Sequence, residues 1–439
     1  RHRSRRELLQ PQNASGTPLV ASDAVWWRVA WRNLLRNRAR TLITASGLAF
    51  GYLAAVVLVG LTDGMMAELI ENGTRLMMGQ VQVHSAEYRP ERNMHHTIGG
   101  YDGVDLETLL ARIESDPDVT AAAPRLYGGG LLSSGEETKA GLLFGIDPDR
   151  EQQVGTLLSR LSEGRLPESG QYEILVGLEM ARQLGLEVGA EVVVVVGASD
   201  GSMGNDLFTL VGVFETGTPA IDANYAVLPL PDLQYLMAMD PGRVHEIALT
   251  VTRARDTPLI ASSLAANLEG SDYAVEVTPW TELRPELAEM LGLMDAVNYF
   301  IAAIIFAMAI FGVANTMLIG TFERRREFAV VRALGTSPMG VGRTVVYEGV
   351  ILGTISLIAG ALITWPIVVW WHNSPPDLTS LIGGFSVVGS QWRPILRIEY
   401  SYDTPVICAV ALFLTAVFAA VYPAWKATRV PPADALADR

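Results

Sequence analysis

The chain has 439 residues and a net charge of −14. That acidity gives no reason to expect nucleic-acid binding, and the single cysteine, Cys408, excludes an internal disulfide framework. Four apolar runs are long enough to cross a hydrocarbon core, which takes roughly 20 helical residues, so the chain is expected to be a membrane protein.

Residues 1–23 are polar, with Pro11, Gly16 and Pro18, and read as a disordered tail. Residues 24–41 differ. Trp27, Trp31, Leu34 and Leu35 form an apolar stripe, while Arg28, Arg32 and Arg36 recur every four residues on another face. That pattern predicts a helix in the headgroup layer, where tryptophan is favoured and arginine meets anionic lipid. Packing against a protein partner is the alternative. Residues 42–62 predict the first span. This run exceeds the apolar core of a signal peptide and lies behind about forty residues, so it reads as a retained anchor.

Residues 63–295 form a large excursion. Between Asp63 and Met294 there are 14 basic and 36 acidic residues, a net of −22. Strands are expected at 79–84, 119–132, 142–147, 173–176, 191–196, 207–214, 226–230, 246–252 and 273–277. Helices are expected at 63–78, 106–114, 180–184 and 258–268. Gly128-Gly129-Gly130 reads as a turn, and 200–206 as a hairpin loop. The irregular mixture predicts an α+β domain. Segments 79–130 and 240–280 are expected to form one lobe and 131–239 a β-rich second lobe. Residues 280–294 predict a helix continuous with the second span (296–320). Two spans that both extend outward would form a stalk.

After the second span comes Phe322-Glu323-Arg324-Arg325-Arg326-Glu327-Phe328, then Arg332-Ala333-Leu334-Gly335. Basic loops beside spans belong on the cytoplasmic side. Phe328, Val331 and Leu334 recur at helical spacing, so the 321–345 loop carries a short amphipathic helix suited to docking a soluble partner. A third span (346–370), an external loop (371–403), a fourth span (404–425) and a cytoplasmic tail (426–439) complete the topology. Nine arginines before residue 42, against Glu7 and Asp23, place both termini inside. Gly47, Gly51, Gly353 and Gly360 lie within spans. They either bring helices close or reflect the ordinary abundance of glycine there.

No catalytic constellation emerges. The only lysines, Lys139 and Lys426, follow no phosphate-binding glycine loop. His95-His96 lacks helical metal-ligand spacing, so no metal site is expected. Glu348, near the inner end of the third span, is either functional or an interfacial residue within reach of Arg343. Asn315 suits a bond to another helix. Met290, Met294, Met308 and Met317 line the second helix, with Met65 and Met66 near the end of the first. They are core filler or a compliant surface for acyl chains.

Four motifs accompany the order of one span, a large insertion and three further spans: Arg32-Asn33-Leu34-Leu35-Arg36-Asn37-Arg38, Ala314-Asn315-Thr316-Met317, Glu323–Glu327 with Arg332–Gly335, and Tyr422-Pro423-Ala424-Trp425 with the Pro431–Leu436 ending. Together they resemble the FtsX/MacB superfamily of ABC-transporter permeases. Gly145-Ile146-Asp147-Pro148 is similar to a turn in that family's periplasmic domain. Asn72–His84 looks most like the LolC/LolE-like lipoprotein-releasing branch. The longer 371–403 loop departs from it.

The resemblance implies four transmembrane helices with a periplasmic domain of porter-like and sabre-like parts in a bacterial inner membrane. It implies a dimer with a second permease copy or paralogue and separate ATPase subunits that hold ATP and magnesium. A coupling helix would include Arg324, Arg325, Arg326, Glu327, Arg332, Ala333, Leu334 and Gly335. It further implies a lipoprotein substrate and a periplasmic carrier; the methionine pattern would put the substrate's acyl chains at Met65, Met66, Met290, Met294 and Met308, and the 24–41 pattern implies contact with membrane lipids. Mechanotransmission to an efflux partner and regulation of a cell-wall hydrolase are the alternatives.

Overall fold

A computed structural model describes residues 23–89, 91–100, 105–269, 274–382, 385–387, 390–392, 395–399 and 403–431. Of the expected tail only Asp23 lies among them, and the ending from Pro432 onward lies outside. In chain order the elements begin with α1 (Asp23–Arg36), α2 (Arg38–Arg75), β1 (Val81–Ser85), α3 (Leu106–Glu114), β2 (Val119–Ser133) and β3 (Thr138–Ile146). Next come α4 (Pro148–Val154), β4 (Leu161–Gly164), β5 (Glu173–Gly177), α5 (Leu178–Leu184), β6 (Glu191–Gly197) and β7 (Met203–Phe214). Then follow α6 (Pro219–Asn224), β8 (Tyr225–Pro229), α7 (Leu230–Leu236), β9 (Glu246–Val251), α8 (Thr257–Leu268), β10 (Val275–Pro279) and α9 (Trp280–Leu283). The chain closes with α10 (Pro285–Glu323), α11 (Arg325–Ala333), α12 (Pro338–Asn373), α13 (Thr379–Ile382), β11 (Phe385–Val387), β12 (Ser390–Trp392) and α14 (Asp403–Thr428).

Four helices, α2, α10, α12 and α14, are long and apolar enough to cross a membrane. At 1.5 Å per residue, α2 and α10 are each about 57 Å long, well beyond a hydrocarbon core of about 30 Å. Two compact units divide the chain.

The first unit comprises the described parts of 1–60, 298–373 and 400–439. Its tightest packing joins α12 to α14. A Cβ at Gly349 would lie 2.5 Å from Ala420 Cβ, and one at Gly353 would lie 2.9 Å from Ala416 Cβ. Small residues on both helices let their backbones approach. The four span glycines divide accordingly. Gly353 and Gly360 face close neighbours, whereas nothing lies within 4 Å of Cβ positions at Gly47 or Gly51.

The second unit comprises 61–297 and the described parts of 374–399. Its sheet has ten strands. The path runs β10-β1-β9-β2-β3-β8-β5-β7-β4, and β6 pairs with β2 and β7. Pairings are antiparallel except β3–β8 and β5–β7. The core mixes strand residues such as Val83, Leu126 and Phe208 with Leu109, Leu110 and Ile113 of α3. β2 crosses the boundary expected between the two lobes, so one hydrogen-bonded path serves both. β4 has no counterpart among the expected strands.

Gly128–Gly130 is no turn. It lies inside β2, paired with Leu143, Leu142 and Gly141. β6 crosses here, and a Cβ on Gly130 would sit 2.6 Å from the Val195 carbonyl oxygen. Gly130 admits a neighbouring backbone. Of the expected 200–206 hairpin loop, 200–202 lie between the antiparallel β6 and β7, while Met203–Asp206 belong to β7 and pair with β6. The 374–399 segment packs its Arg397 carbonyl on Gly64 of α2, where any side chain would collide.

Candidate functional site

The arginine-rich segment folds as expected for its spacing. α10 ends at Glu323, Arg324 breaks the helical run, and α11 occupies the next nine residues. Gly335 ends it with φ +97°, a conformation that favours glycine, and donates its N–H to the Arg332 carbonyl at 3.0 Å. Ser337 then accepts the Gly340 N–H at 3.2 Å and starts α12.

α11 splits the expected apolar stripe. Phe328 and Ala329 are buried, Phe328 against Val341, Val345, Ala424 and Ala427. Val330, Val331 and Leu334 are exposed, Leu334 at 83%. Arg325, Arg326 and Ala333 are exposed too. Arg332 turns back and donates to the carbonyls of Thr428 and Val430, pinning the helix end to α14.

Three acid–base contacts tie this segment to α1, α2 and α12. Arg36 donates to both Glu327 oxygens, at 2.6 and 2.8 Å. Arg40 reaches Glu323 across Gly320, where a Cβ would strike its guanidinium. Arg324 donates to Glu348 at 2.8 Å, and the Asn33 amide donates to the same oxygen at 2.8 Å. The partner of Glu348 is therefore Arg324, not the expected Arg343. Five residues along a helix turn a side chain about 140° away, onto another face.

Burial ranks these contacts. The Arg324 and Glu348 side chains are 11% and 12% exposed, while Arg36 and Glu327 are about half exposed. Partial burial opposes charge on Glu327, yet Arg36 and Arg324 hold its carboxyl below the usual carboxylate range. A cavity of about 50 Å³ lies beside the cluster, lined by Asn33, Asn37, Thr41, Thr316, Arg324 and Glu348 among others. Leu34, Met317 and Leu352 make its wall more apolar than polar, and it has room for a few waters.

α1 presents Trp27, Arg28, Trp31, Arg32 and Arg36 outward. Its inward face carries Trp26, Ala30 and Asn33, with Trp26 filling the space beside Gly340. Sequence reasoning missed that face because Trp26 and Trp27 look alike in a periodic pattern. Trp27 also contacts Tyr347, ring edge to face, at 5.5 Å.

The methionines separate. Met66, 2% exposed, packs with Ile70, Trp280, Leu287 and Leu291, and Met290 and Met294 lie partly buried against them. These three line the seam between α2 and α10. Met65 is half-buried and Met308 exposed.

A second cluster was not anticipated. Arg125, fully buried, donates to Glu151 at 2.9 and 2.6 Å and to the Met77 carbonyl at 2.7 Å. The Gly145-Ile146-Asp147-Pro148 turn builds it. Asp147 caps α4 by accepting the Asp149 and Arg150 N–H groups, and α4 presents Glu151. Glu246 accepts from Tyr127 at 2.8 Å and Gln82 at 3.2 Å. Burial raises its carboxyl despite Arg125 nearby. His245 stacks on Tyr88 at 5.3 Å. Its Nδ1 accepts the Tyr127 N–H at 3.0 Å, so Nε2 carries the proton and donates to the Met94 carbonyl at 3.1 Å. Burial pushes His245 down to about 4. Among the described residues no group of three metal-ligating side chains converges.

Comparison with known proteins gives two family matches. The MacB-like periplasmic core domain matches residues 41–267, and the FtsX-like permease C-terminal region matches 299–432. The chain is 28% identical over 399 residues to the lipoprotein-releasing system transmembrane protein LolC of Xylella fastidiosa, covering 89% of this chain and 92% of that one. It is 21% identical over 431 residues to LolE of Haemophilus influenzae, covering 93% and 98%. It is 23% identical over 413 residues to the macrolide export ATP-binding/permease protein MacB of Nitrosomonas europaea, covering 87% of this chain and 58% of that one.

Proposed function

The chain belongs to the FtsX/MacB superfamily of ABC-transporter permeases, and on that premise we propose that it draws lipoproteins, or another lipidated substrate, from the inner membrane for delivery across the periplasm. Similarity to LolC and LolE along most of the chain supports that substrate class. Burying each acyl methylene is worth about 0.8 kcal/mol, so extraction needs an external energy source.

The observation that carries the ATP-driven reading is α11. Its inner face is fixed to α12 and α14, and its outer face offers Val331, Ala333 and Leu334 beside Arg325 and Arg326. We assign this face to the ATPase subunit, which would hold ATP and magnesium. Both termini would be cytoplasmic and the 63–295 domain periplasmic, facing a carrier. The outward face of α1 would rest on lipid, and a second permease copy or paralogue would complete the assembly. For motion to follow, the ATPase must bind the permease's two states with different affinity.

Mechanotransmission is the second reading. It is supported by the buried seam of Met66, Ile70, Leu287 and Leu291, which makes α2 and α10 a packed pair. Photo-crosslinking from Met65 and Met308 in native membranes separates the two. Capture of lipoproteins that depends on their acyl chains supports extraction. Capture of a soluble periplasmic protein alone, with the ATPase active, supports mechanotransmission.

A further inference from the structure

Asp63 is the first ionisable residue after the first apolar run, and Asp295 the last before the second. Two carboxylates on packed helices repel. Between them sits Arg255, in a short 3₁₀ turn (Ala254–Asp256) between β9 and α8. Its Nη1 donates to Asp63 Oδ1 at 2.7 Å, and its Nη2 lies 3.4 Å from Asp295 Oδ1 and 3.1 Å from Met66 Sδ. The turn is itself held in place. The Ala254 carbonyl accepts from the Trp280 indole at 3.1 Å and from the Thr257 hydroxyl at 2.6 Å, and Ala254 packs against the seam between the two helices.

The two arms differ. The Asp63 contact is short and its carboxylate is 16% exposed, whereas the Asp295 contact is long and its carboxylate is 47% exposed. A charge-assisted bond at 2.7 Å is a strong one, and 3.4 Å lies at the outer limit. Arginine suits the task because its planar fork can serve two acceptors, which a lysine ammonium on one stem does less well.

We propose that Arg255 is the positioning residue that sets the spacing of α2 and α10, gripping α2 through Asp63 and holding α10 through a releasable contact with Asp295. When the helices part, the Asp295 arm opens first and Arg255 stays with α2. The importance of that release for transport rests on the permease reading; the spacing itself does not.

The test uses the full chain in lipid nanodiscs, with Cys408→Ala and spin labels at Glu71→Cys on α2 and Glu289→Cys on α10. Both sites are exposed. Pulsed electron resonance then reports the distance distribution. Wild type is expected to give one narrow population. Arg255→Gln broadens it towards longer distances, Asp295→Asn does so to a smaller extent, and Arg255→Lys falls between wild type and Arg255→Gln. High salt moves wild type the same way, because the Asp295 arm is exposed. The fully reversed set, Asp63→Arg, Arg255→Asp and Asp295→Arg, restores the narrow population. Should Arg255→Gln fail to fold, recovery of folding in the reversed set supports the proposal and its absence overturns it. Distributions unchanged in Arg255→Gln and Asp295→Asn overturn it as well. Because no ATPase is present, failure here leaves the permease reading standing.

Discussion

The Arg125–Glu151 and Arg36–Glu327 pairs both close to 2.6 Å, yet they are built for different work. The first is fully buried and joins β2, α4 and the Met77 carbonyl beyond α2. The second is about half exposed and joins α1 to α11. Geometry alone does not separate them. Burial does, because a desolvated charge cannot lose its partner without large cost, whereas an exposed one exchanges it for water. The buried pair is a fixture of the α+β domain. The exposed pair is a contact that α11 can make and break.

The largest effect that would sharpen this contrast is on the buried side. Arg125→Met leaves Glu151 charged and unpaired, and should cost about 3–5 kcal/mol of stability, seen as a lowered unfolding midpoint of the full chain in detergent. Next is His245. Its folded value of about 4 lies below the ordinary 6.5, so the unfolded state binds the extra proton. Stability from this residue is complete above about pH 6.5 and falls by about 3 kcal/mol as pH drops to about 4. Glu246, raised by burial, acts in the opposite sense as pH rises from its ordinary value. The measurement is therefore the difference between wild type and His245→Gln across that range.

Glu348→Gln stands between the two classes. It leaves the sheltered Arg324 with only its longer contact to Glu327, at 3.4 Å, and about 1–3 kcal/mol of local stability should be lost, read as faster hydrogen exchange in α11. The smallest effect is on the exposed side. Arg36→Gln should change stability by less than about 1 kcal/mol, and raising the salt should erase the difference. A loss as large as that of Arg125→Met would break the contrast.

Local patterns made much of this legible. Periodicity placed most strands of the sheet, and the Glu323–Gly335 motif located α11 together with its glycine stop. What stayed hidden depends on distant partners. Gly128–Gly130 looks like a turn until β6 is seen crossing it. Glu348 finds Asn33, 315 residues away, rather than Arg343 nearby. The face of Phe328 depends on α14, and the burial of Met66 depends on Leu287 and Leu291. The Arg125 cluster gathers Gln82, Tyr127, Glu151 and Glu246 from four separate elements, and only the Gly145–Pro148 turn hinted at it.

The central claim is that the outer face of α11 docks an ATPase. The direct measurement is photo-crosslinking in native membranes from a benzophenone side chain at Leu334, with Phe328 as the buried control. The account predicts an ATP-binding subunit captured from Leu334 and not from Phe328. Capture of lipid or of the permease alone from Leu334, with the ATPase present, would contradict it.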